Sequence, residues 1–449
     1  MSQVEGGVGS KPTRGSLEME KRSLLFASSA LLFRMGLALQ TFEVVRPFGI
    51  LVADYLFFSS LLLLLLCTHR RRLLESKGSG VLIATALVVC GGFLSSVSAS
   101  GVGAAAGPLM KLFTVFGLFA PLALVHSKNS RENLYFLIGG ILANCGVTLL
   151  QASIFPRIVD LLSVNNVTVD TSDIGRFSGL AGHSNFLGLS AALAVLIGAA
   201  LWASEKNQYV RWGLSFQVFA CTGAALLSGS RTFLVALIPS LIVLMLTQTL
   251  YRRVVLRTVV GIVVLWAGIN YVVPELLSEY TSRFSATNAD DSENYSRLLT
   301  AGVAVAEISQ KPILGWGADR FGEAGMMFIP EAGDFIGAHV TFLQYWYATG
   351  LLGAIGFLAL FAIPVRRMIR ALKSNSSVDL GNALRLGLSA YALLFISSNL
   401  HPILFNRFLY VPLFMFAGLT AQAADPIKVR QFAGRAVAHL PARNIQATS

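Results

Sequence analysis

The chain has 449 residues, of which 54% are hydrophobic and only 13% are charged. A soluble domain cannot bury that much apolar surface, so the composition indicates an integral membrane protein. The formal net charge of +12 does not require nucleic acid, because the basic residues fall mainly in alternate connections between apolar runs. We expect membrane lipids as partners and no nucleic acid.

The apolar runs predict an all-α fold, a polytopic membrane bundle of about twelve transmembrane helices. Runs of about 17 to 23 residues suit a hydrocarbon core about 30 Å thick, and the short alternating segments of a barrel are absent. In chain order the predicted helices are residues 24–40, 47–67, 80–99, 104–125, 134–154, 180–202, 210–228, 232–249, 255–273, 339–363, 380–400 and 404–422.

Basic residues in every second connection orient this bundle and predict that both termini are cytoplasmic. Lys21 and Arg22 precede an apolar run, as in a signal peptide, but Arg34 interrupts that run and favours an uncleaved first helix. The predicted organisation is a cytoplasmic tail at 1–22, transmembrane helices 1–9 within 23–273, a large periplasmic loop at 274–338, transmembrane helices 10–12 within 339–422, and a second cytoplasmic tail at 423–449.

Two arginines on the translocated side oppose the charge bias that sets the topology. Arg231 lies in a predicted tight outer turn at the start of a helix, where a cation faces the positive end of the helix dipole unless an anion is bound. It is either a solvated turn residue or an anion ligand. Arg176 opens a glycine-rich approach to another helix, followed by His183 and Asn185. These last two either satisfy backbone groups at the helix start or contact a ligand.

The predicted periplasmic loop contains a segment with amphipathic helical spacing that begins near Arg297. Such a helix lies along a membrane interface, where an arginine binds either lipid phosphates or a substrate. The sequence that follows, Lys311 to Gly317, contains one proline and two glycines. We expect a sharp, closely packed turn there and assign it no chemistry.

His339 ends the polar loop and is expected in the first turn of the next helix. There the helix dipole would lower the pKa of its imidazole and keep the ring neutral and able to accept a proton. His339 is therefore a candidate general base, although a structural role fits as well. Phe342 and Trp346 follow at helical spacing and would either stack on a sugar or belong to the interfacial aromatic belt.

Some ionisable residues fall inside predicted transmembrane helices, where charges are usually paired or functional. Arg34 with Asp54, or Asp54 with Lys111, would make structural ion pairs, and the sequence does not choose between them. The four cysteines have no metal-ligand spacing, which predicts neither a disulfide nor a zinc site.

These motifs resemble the O-antigen ligase and O-antigen polymerase superfamily of bacterial envelope glycosyltransferases. The resemblance spans roughly residues 170–360 and departs from the family at Val340, where asparagine is usual. The matching residues are Arg176-Phe177-Ser178-Gly179 with Asn185, Ser230-Arg231-Thr232, Arg297, Lys311-Pro312-Ile313-Leu314-Gly315-Trp316-Gly317, and His339 with Gln344 and Gly350-Leu351.

The resemblance implies a GT-C-like bundle in the bacterial inner membrane with a periplasmic active site. It implies a metal-independent, inverting transfer of O-antigen glycan from undecaprenyl diphosphate to the lipid A core oligosaccharide, with no cofactor. Arg176, Arg231 and Arg297 would bind the donor diphosphate through bidentate contacts, and His339 would deprotonate the acceptor. Phe342, Trp346 and Asn185 are possible acceptor or sugar contacts.

Three alternatives stay open. An O-antigen or exopolysaccharide polymerase would use the same lipid-linked donor and differ only in its acceptor. A transporter or flippase predicts ionisable residues near the midplane and repeated halves, whereas here the clearest cluster lies on one face and no duplicated half is evident. A metal-dependent enzyme would need acidic ligands, for which the loop offers Asp290, Asp291 and Glu293, expected to be solvated.

Overall fold

A computed structural model shows that the described part of the chain is helical and contains no β-sheet. The structure describes residues 14–47, 50–67, 79–153, 158, 177–247, 249–272, 292–318, 338–374, 378–401 and 406–423. The predicted all-α polytopic bundle is confirmed.

The helices are α1 (Arg14–Leu39), α2 (Val52–Cys67), α3 (Ser79–Leu112), α4 (Ala120–His126), α5 (Ser130–Ser153), α6 (Ser184–Ser204), α7 (Gln208–Leu227), α8 (Arg231–Thr247), α9 (Thr249–Val272), α10 (Ser292–Gln310), α11 (Thr341–Lys373), α12 (Val378–Ser398) and α13 (Arg407–Ala423). Most helices follow the predicted apolar runs, but α1 begins ten residues before the predicted start at 24 and α11 ends ten residues after the predicted end at 363. A π-helical stretch, Phe113–Phe119, joins α3 to α4.

Seven helical segments among the described residues are long and apolar enough to cross a membrane, and several shorter apolar helices accompany them. The continuous helical run from α3 through α4 contains two of the predicted transmembrane helices, 80–99 and 104–125. Leu112 packs against Gly92, so the chain reverses direction between these residues. The total of twelve spans stays a prediction.

Helix α6 is the central helix of the bundle, since 83% of the residues in its most apolar stretch are buried. Its sequence, SNFLGLSAALAVLIGAALWAS, is rich in small residues, which allow close approach of neighbouring helices in lipid. Helices α5, α7, α8 and α12 pack around it. Both ends of α6 therefore lie where several helix ends meet.

The two ends of α6 define two ends of the bundle. The histidine end comprises residues 40–47, 177–185, 228–232, 338–341, 401 and 406–407, which approach one another through hydrogen bonds, an ion pair and ring contacts. The basic end comprises the α6–α7 turn, the first turns of α5 and α7, and residues 249–257 of α9. It carries Arg131, Lys206, Arg211, Arg252, Arg253 and Arg257.

The intramembrane ion pairs differ from both pairings considered above. Arg34 pairs with Glu132 at the start of α5, and Asp54 pairs with Arg407 across 2.9 Å between Oδ1 and Nε. Lys111 is exposed. Sequence patterns could not find these partners, because each partner lies on a helix distant in the chain.

Helix α11 is broken at Gly350, which has φ +65° and ψ −171°. The predicted turn at Lys311–Gly317 fills the break: Trp316 N–H donates to Tyr347 O over 2.8 Å, and Leu351 N–H donates to Ile313 O over 3.1 Å. Backbone groups that the break removes from the helix are thus satisfied, as burial requires. A Cβ on Gly315 would lie 2.6 Å from Gly350 N, so this approach needs glycine.

Candidate functional site

The segment before α6 is held against α5 by buried amides. Leu180 N–H donates to Asn144 Oδ1 over 2.7 Å, and Gly179 N–H donates to Gln151 Oε1 over 3.1 Å. Gly179 has φ +54°, and a Cβ there would lie 2.4 Å from Thr148 Oγ1. The glycine-rich pattern thus provides the close packing that was expected.

His183 is the N-cap of α6, and its Nδ1 accepts the Asn185 N–H over 3.1 Å. The first helical N–H groups lack intrahelical partners, so this contact satisfies one of them. The predicted capping role of His183 is confirmed. Since Nδ1 accepts this hydrogen bond, a neutral His183 carries its proton on Nε2.

Arg231 is the first residue of α8 and follows the tight turn that the sequence predicts. Gly229 has φ +64°, and the buried Ser230 lies so near α6 that a Cβ on Gly188 would be 2.5 Å from Ser230 Cβ. The small residue at 188 therefore sets the position of the turn. It places Arg231, half-buried, at the start of a helix where backbone N–H groups favour an anion.

His339 and His401 form the second part of the site. Their ring centroids are 6.2 Å apart, and the ring of His183 is 6.5 Å from that of His401 on the other side. Three of the chain's six histidines thus meet at one end of the bundle. His339 lies just before Val340, the N-cap of α11. The expectation that it lies in the first turn was therefore wrong by about half a turn.

His401 joins this second part to the Arg231 turn. Its Nε2 and Thr232 Oγ1 share a hydrogen bond of 2.8 Å, and Thr341 Oγ1 donates to its backbone carbonyl over 2.6 Å. The ring is 4% exposed. Sequence reasoning missed His401; its only signal was a histidine followed by proline at the end of an apolar run, which is a weak one.

The other predicted site residues divide into three groups. Arg176 lies outside the described residues, and Arg297 lies within α10, with only its backbone described. Asn185 is buried at the start of α6.

Phe342 and Trp346 pack together with ring centroids 5.9 Å apart, while the Trp346 indole donates to Pro312 O over 2.8 Å. Trp346 thus fastens the turn at Lys311–Gly317 in addition to any ligand contact.

A second charged cluster lies beside the site, formed by Glu43, Arg46, Asp54 and Arg407. It contacts the segment before α6, because Val44 N–H donates to Leu180 O over 3.2 Å. Burial raises the pKa of Glu43 above its ordinary value of 4.5, and the neighbouring Arg407 and Arg46 partly offset this rise. The cluster brings the start of α13 against the start of α6, where Phe186 and Phe408 rings are 5.5 Å apart.

Comparison with known families gives a match that includes part of the histidine end. Residues 216–358 match the family model described as O-antigen ligase. The match covers 143 of the 449 residues. This confirms the resemblance drawn from the sequence and supports a glycosyltransferase of the ligase or polymerase type in a multi-pass membrane protein. No curated protein matches the chain.

The matched region, residues 216–358, contains only part of the histidine end. It includes Arg231, Arg297 and His339, whereas Asn185 and His401 lie outside its limits. Arg176 also lies outside, although the sequence resemblance extended to it. Residues on either side of the matched region also belong to the histidine end, since the ring of His401 lies 6.5 Å from that of His183 and 6.2 Å from that of His339.

In chemical terms, the site combines the guanidinium of Arg231 with a row of imidazoles and hydroxyls. Such groups can bind an anion and move a proton. Among the residues that the structure describes, no group of three or more side chains could hold a metal ion. Asp290 and Asp291 lie outside those residues and Glu293 has no described side chain, so metal independence stays a prediction.

Proposed function

We propose that this chain is an inverting glycosyltransferase that moves O-antigen glycan from undecaprenyl diphosphate to the lipid A core oligosaccharide. The observation that supports it most is the meeting of Arg231 and His339 at one end of the bundle, linked through Thr232 and His401. The match to the O-antigen ligase family model supports this class of reaction. The basic residues at the opposite end support a periplasmic site in an inner-membrane protein with cytoplasmic termini.

Arg231 would bind the donor diphosphate. A lipid diphosphate is a stable leaving group, so its departure needs stabilisation of negative charge more than a proton. A guanidinium cannot lose its charge and offers paired donors to phosphate oxygens. The start of α8 adds backbone N–H groups with the same preference. Arg176 and Arg297 would be the further diphosphate ligands.

His339 would be the general base. The residue is partly exposed while its Nδ1 is shielded, so Nε2 is the nitrogen that an acceptor can reach. As the acceptor hydroxyl oxygen bonds to the anomeric carbon, its proton passes to His339. The bond from that carbon to the diphosphate breaks on the opposite face, and the diphosphate leaves with the electron pair. The anomeric configuration inverts.

The test of this function is a choice of acceptor. Purified, reconstituted protein is given a lipid-diphosphate glycan together with lipid A core or with a second donor glycan. A ligase joins the glycan to lipid A core, and a polymerase produces a longer glycan on the carrier. Movement of the donor across the bilayer without any product would reject both and favour transport. Turnover should continue in excess chelator.

The role of His339 is tested in the same assay. We expect His339→Ala to reduce transfer by about 10²–10⁴-fold, the usual contribution of a general base. Arg252→Ala, at an exposed arginine of the basic end, is the control and should transfer glycan at the wild-type rate. Full transfer by a folded His339→Ala protein would show that another group removes the proton.

A further inference from the structure

The basic end contains a groove of about 210 Å³ between α6, α7 and α9, remote from the histidine end. Apolar side chains line most of it, including Leu214, Val218, Ile262 and Leu265. On α9 the lining runs from Val254 to Leu265, which is about 16 Å of helix, or roughly half of the hydrocarbon thickness. Its length and lining therefore match an acyl chain within one leaflet.

Two guanidinium groups lie near the same indole, that of Trp202, which lines this groove together with Arg257. Arg211 lies 4.0 Å from the centroid of the Trp202 ring, and Arg257 lies 5.6 Å from the same ring. Within the described residues neither has a carboxylate at ion-pair distance, and the nearby Glu205 pairs with Arg131 instead. Like charges repel, so their approach to one indole leaves a local excess of positive charge.

From this geometry we propose that the groove binds one anionic phospholipid, such as phosphatidylglycerol. The phosphate contacts Arg211 and Arg257 beside Trp202, and one acyl chain lies along α9 towards Leu265. Basic pockets between transmembrane helices bind anionic headgroups in this way, and a tryptophan is suited to the interface. The proposal does not depend on the glycan-transfer function, since it involves the opposite end of α6.

Two glycines of α9 allow a matched steric test. A Cβ at Gly261, which lines the groove, or at Gly268, which does not, would meet nothing within 4 Å. Gly261→Leu should fill the groove, whereas Gly268→Leu adds the same side chain to the same helix outside it. For the headgroup, Arg257→Gln removes one cation, and Arg252→Gln removes an exposed arginine of the same helix that does not line the groove.

The measurement is native mass spectrometry of the full-length protein released from micelles with equal amounts of phosphatidylglycerol and phosphatidylcholine. We expect one retained phosphatidylglycerol on wild type, Gly268→Leu and Arg252→Gln. Gly261→Leu should lose it, and Arg257→Gln should retain it about fivefold less, for about 1 kcal/mol per arginine. Equal retention of both lipids would overturn the headgroup assignment. Undiminished retention by Gly261→Leu would overturn the assignment of the groove as the site of the acyl chain.

Discussion

The polar groups at the two ends of helix α6 differ in their hydrogen bonding and in their exposure. At the histidine end, His183, His401 and Thr232 are held by short hydrogen bonds and ring contacts. At the basic end, Arg211 and Arg257 gather around Trp202 and remain at least partly exposed. Buried, bonded groups are fixed before a substrate arrives, which suits chemistry. Exposed charges retain their attraction for a mobile anion, which suits lipid binding.

This difference predicts its largest effect on stability at the Asp54–Arg407 pair beside the histidine end. Arg407→Ala leaves a shielded carboxylate without its partner and should cost about 3–5 kcal/mol. Thermal unfolding in detergent measures it. Arg252→Ala at the basic end should change the unfolding temperature little, because that side chain is exposed. Equal small effects at both ends would remove the contrast.

Close packing at the histidine end predicts the next effect. Gly188→Ala would place a Cβ 2.5 Å from Ser230 Cβ and push the Arg231 turn away from α6. We expect a loss of about 1–3 kcal/mol, as for overpacked sites, and slower glycan transfer. Gly146→Ala on α5 is the control, since a Cβ there meets nothing within 4 Å. A Gly188→Ala protein as stable and active as the control would contradict this packing.

His401 should have a smaller effect, because it acts through its neighbours as a positioning residue. Thr232→Val removes the 2.8 Å hydrogen bond to His401, which contributes about 1 kcal/mol, so kcat should fall about fivefold. The KM for the donor should stay the same. A raised KM with unchanged kcat would instead place His401 among the groups that bind the donor.

Glu43 gives the smallest effect, one that depends on pH. Its pKa is raised in the fold, so the folded state holds its proton more tightly than the unfolded chain does. The stability contribution is present below the ordinary pKa of 4.5 and is lost as pH rises through the raised pKa. Unfolding temperatures of wild type should therefore fall relative to Glu43→Gln over this range. A constant difference would contradict the burial of this carboxyl.

The sequence predicted the parts of this molecule that depend on neighbouring residues. Apolar periodicity located the helices, the amphipathic pattern predicted α10, and the Ser228–Arg231 turn appeared as expected. The partner of Asp54 and the role of His401 depend on packing between distant helices, which no local pattern records. The break at Gly350 was also hidden, because a glycine inside an apolar run is common in membrane helices.

We expect the two parts of the site to have different tasks: Arg231 binds the donor and His339 takes the proton of the acceptor. Donor binding and single-turnover transfer, measured on Arg231→Ala and His339→Ala, separate these two tasks. We predict weaker donor binding for Arg231→Ala, and unchanged donor binding with slowed transfer for His339→Ala. Weakened binding in His339→Ala, with a normal rate at saturating donor, would contradict this expectation.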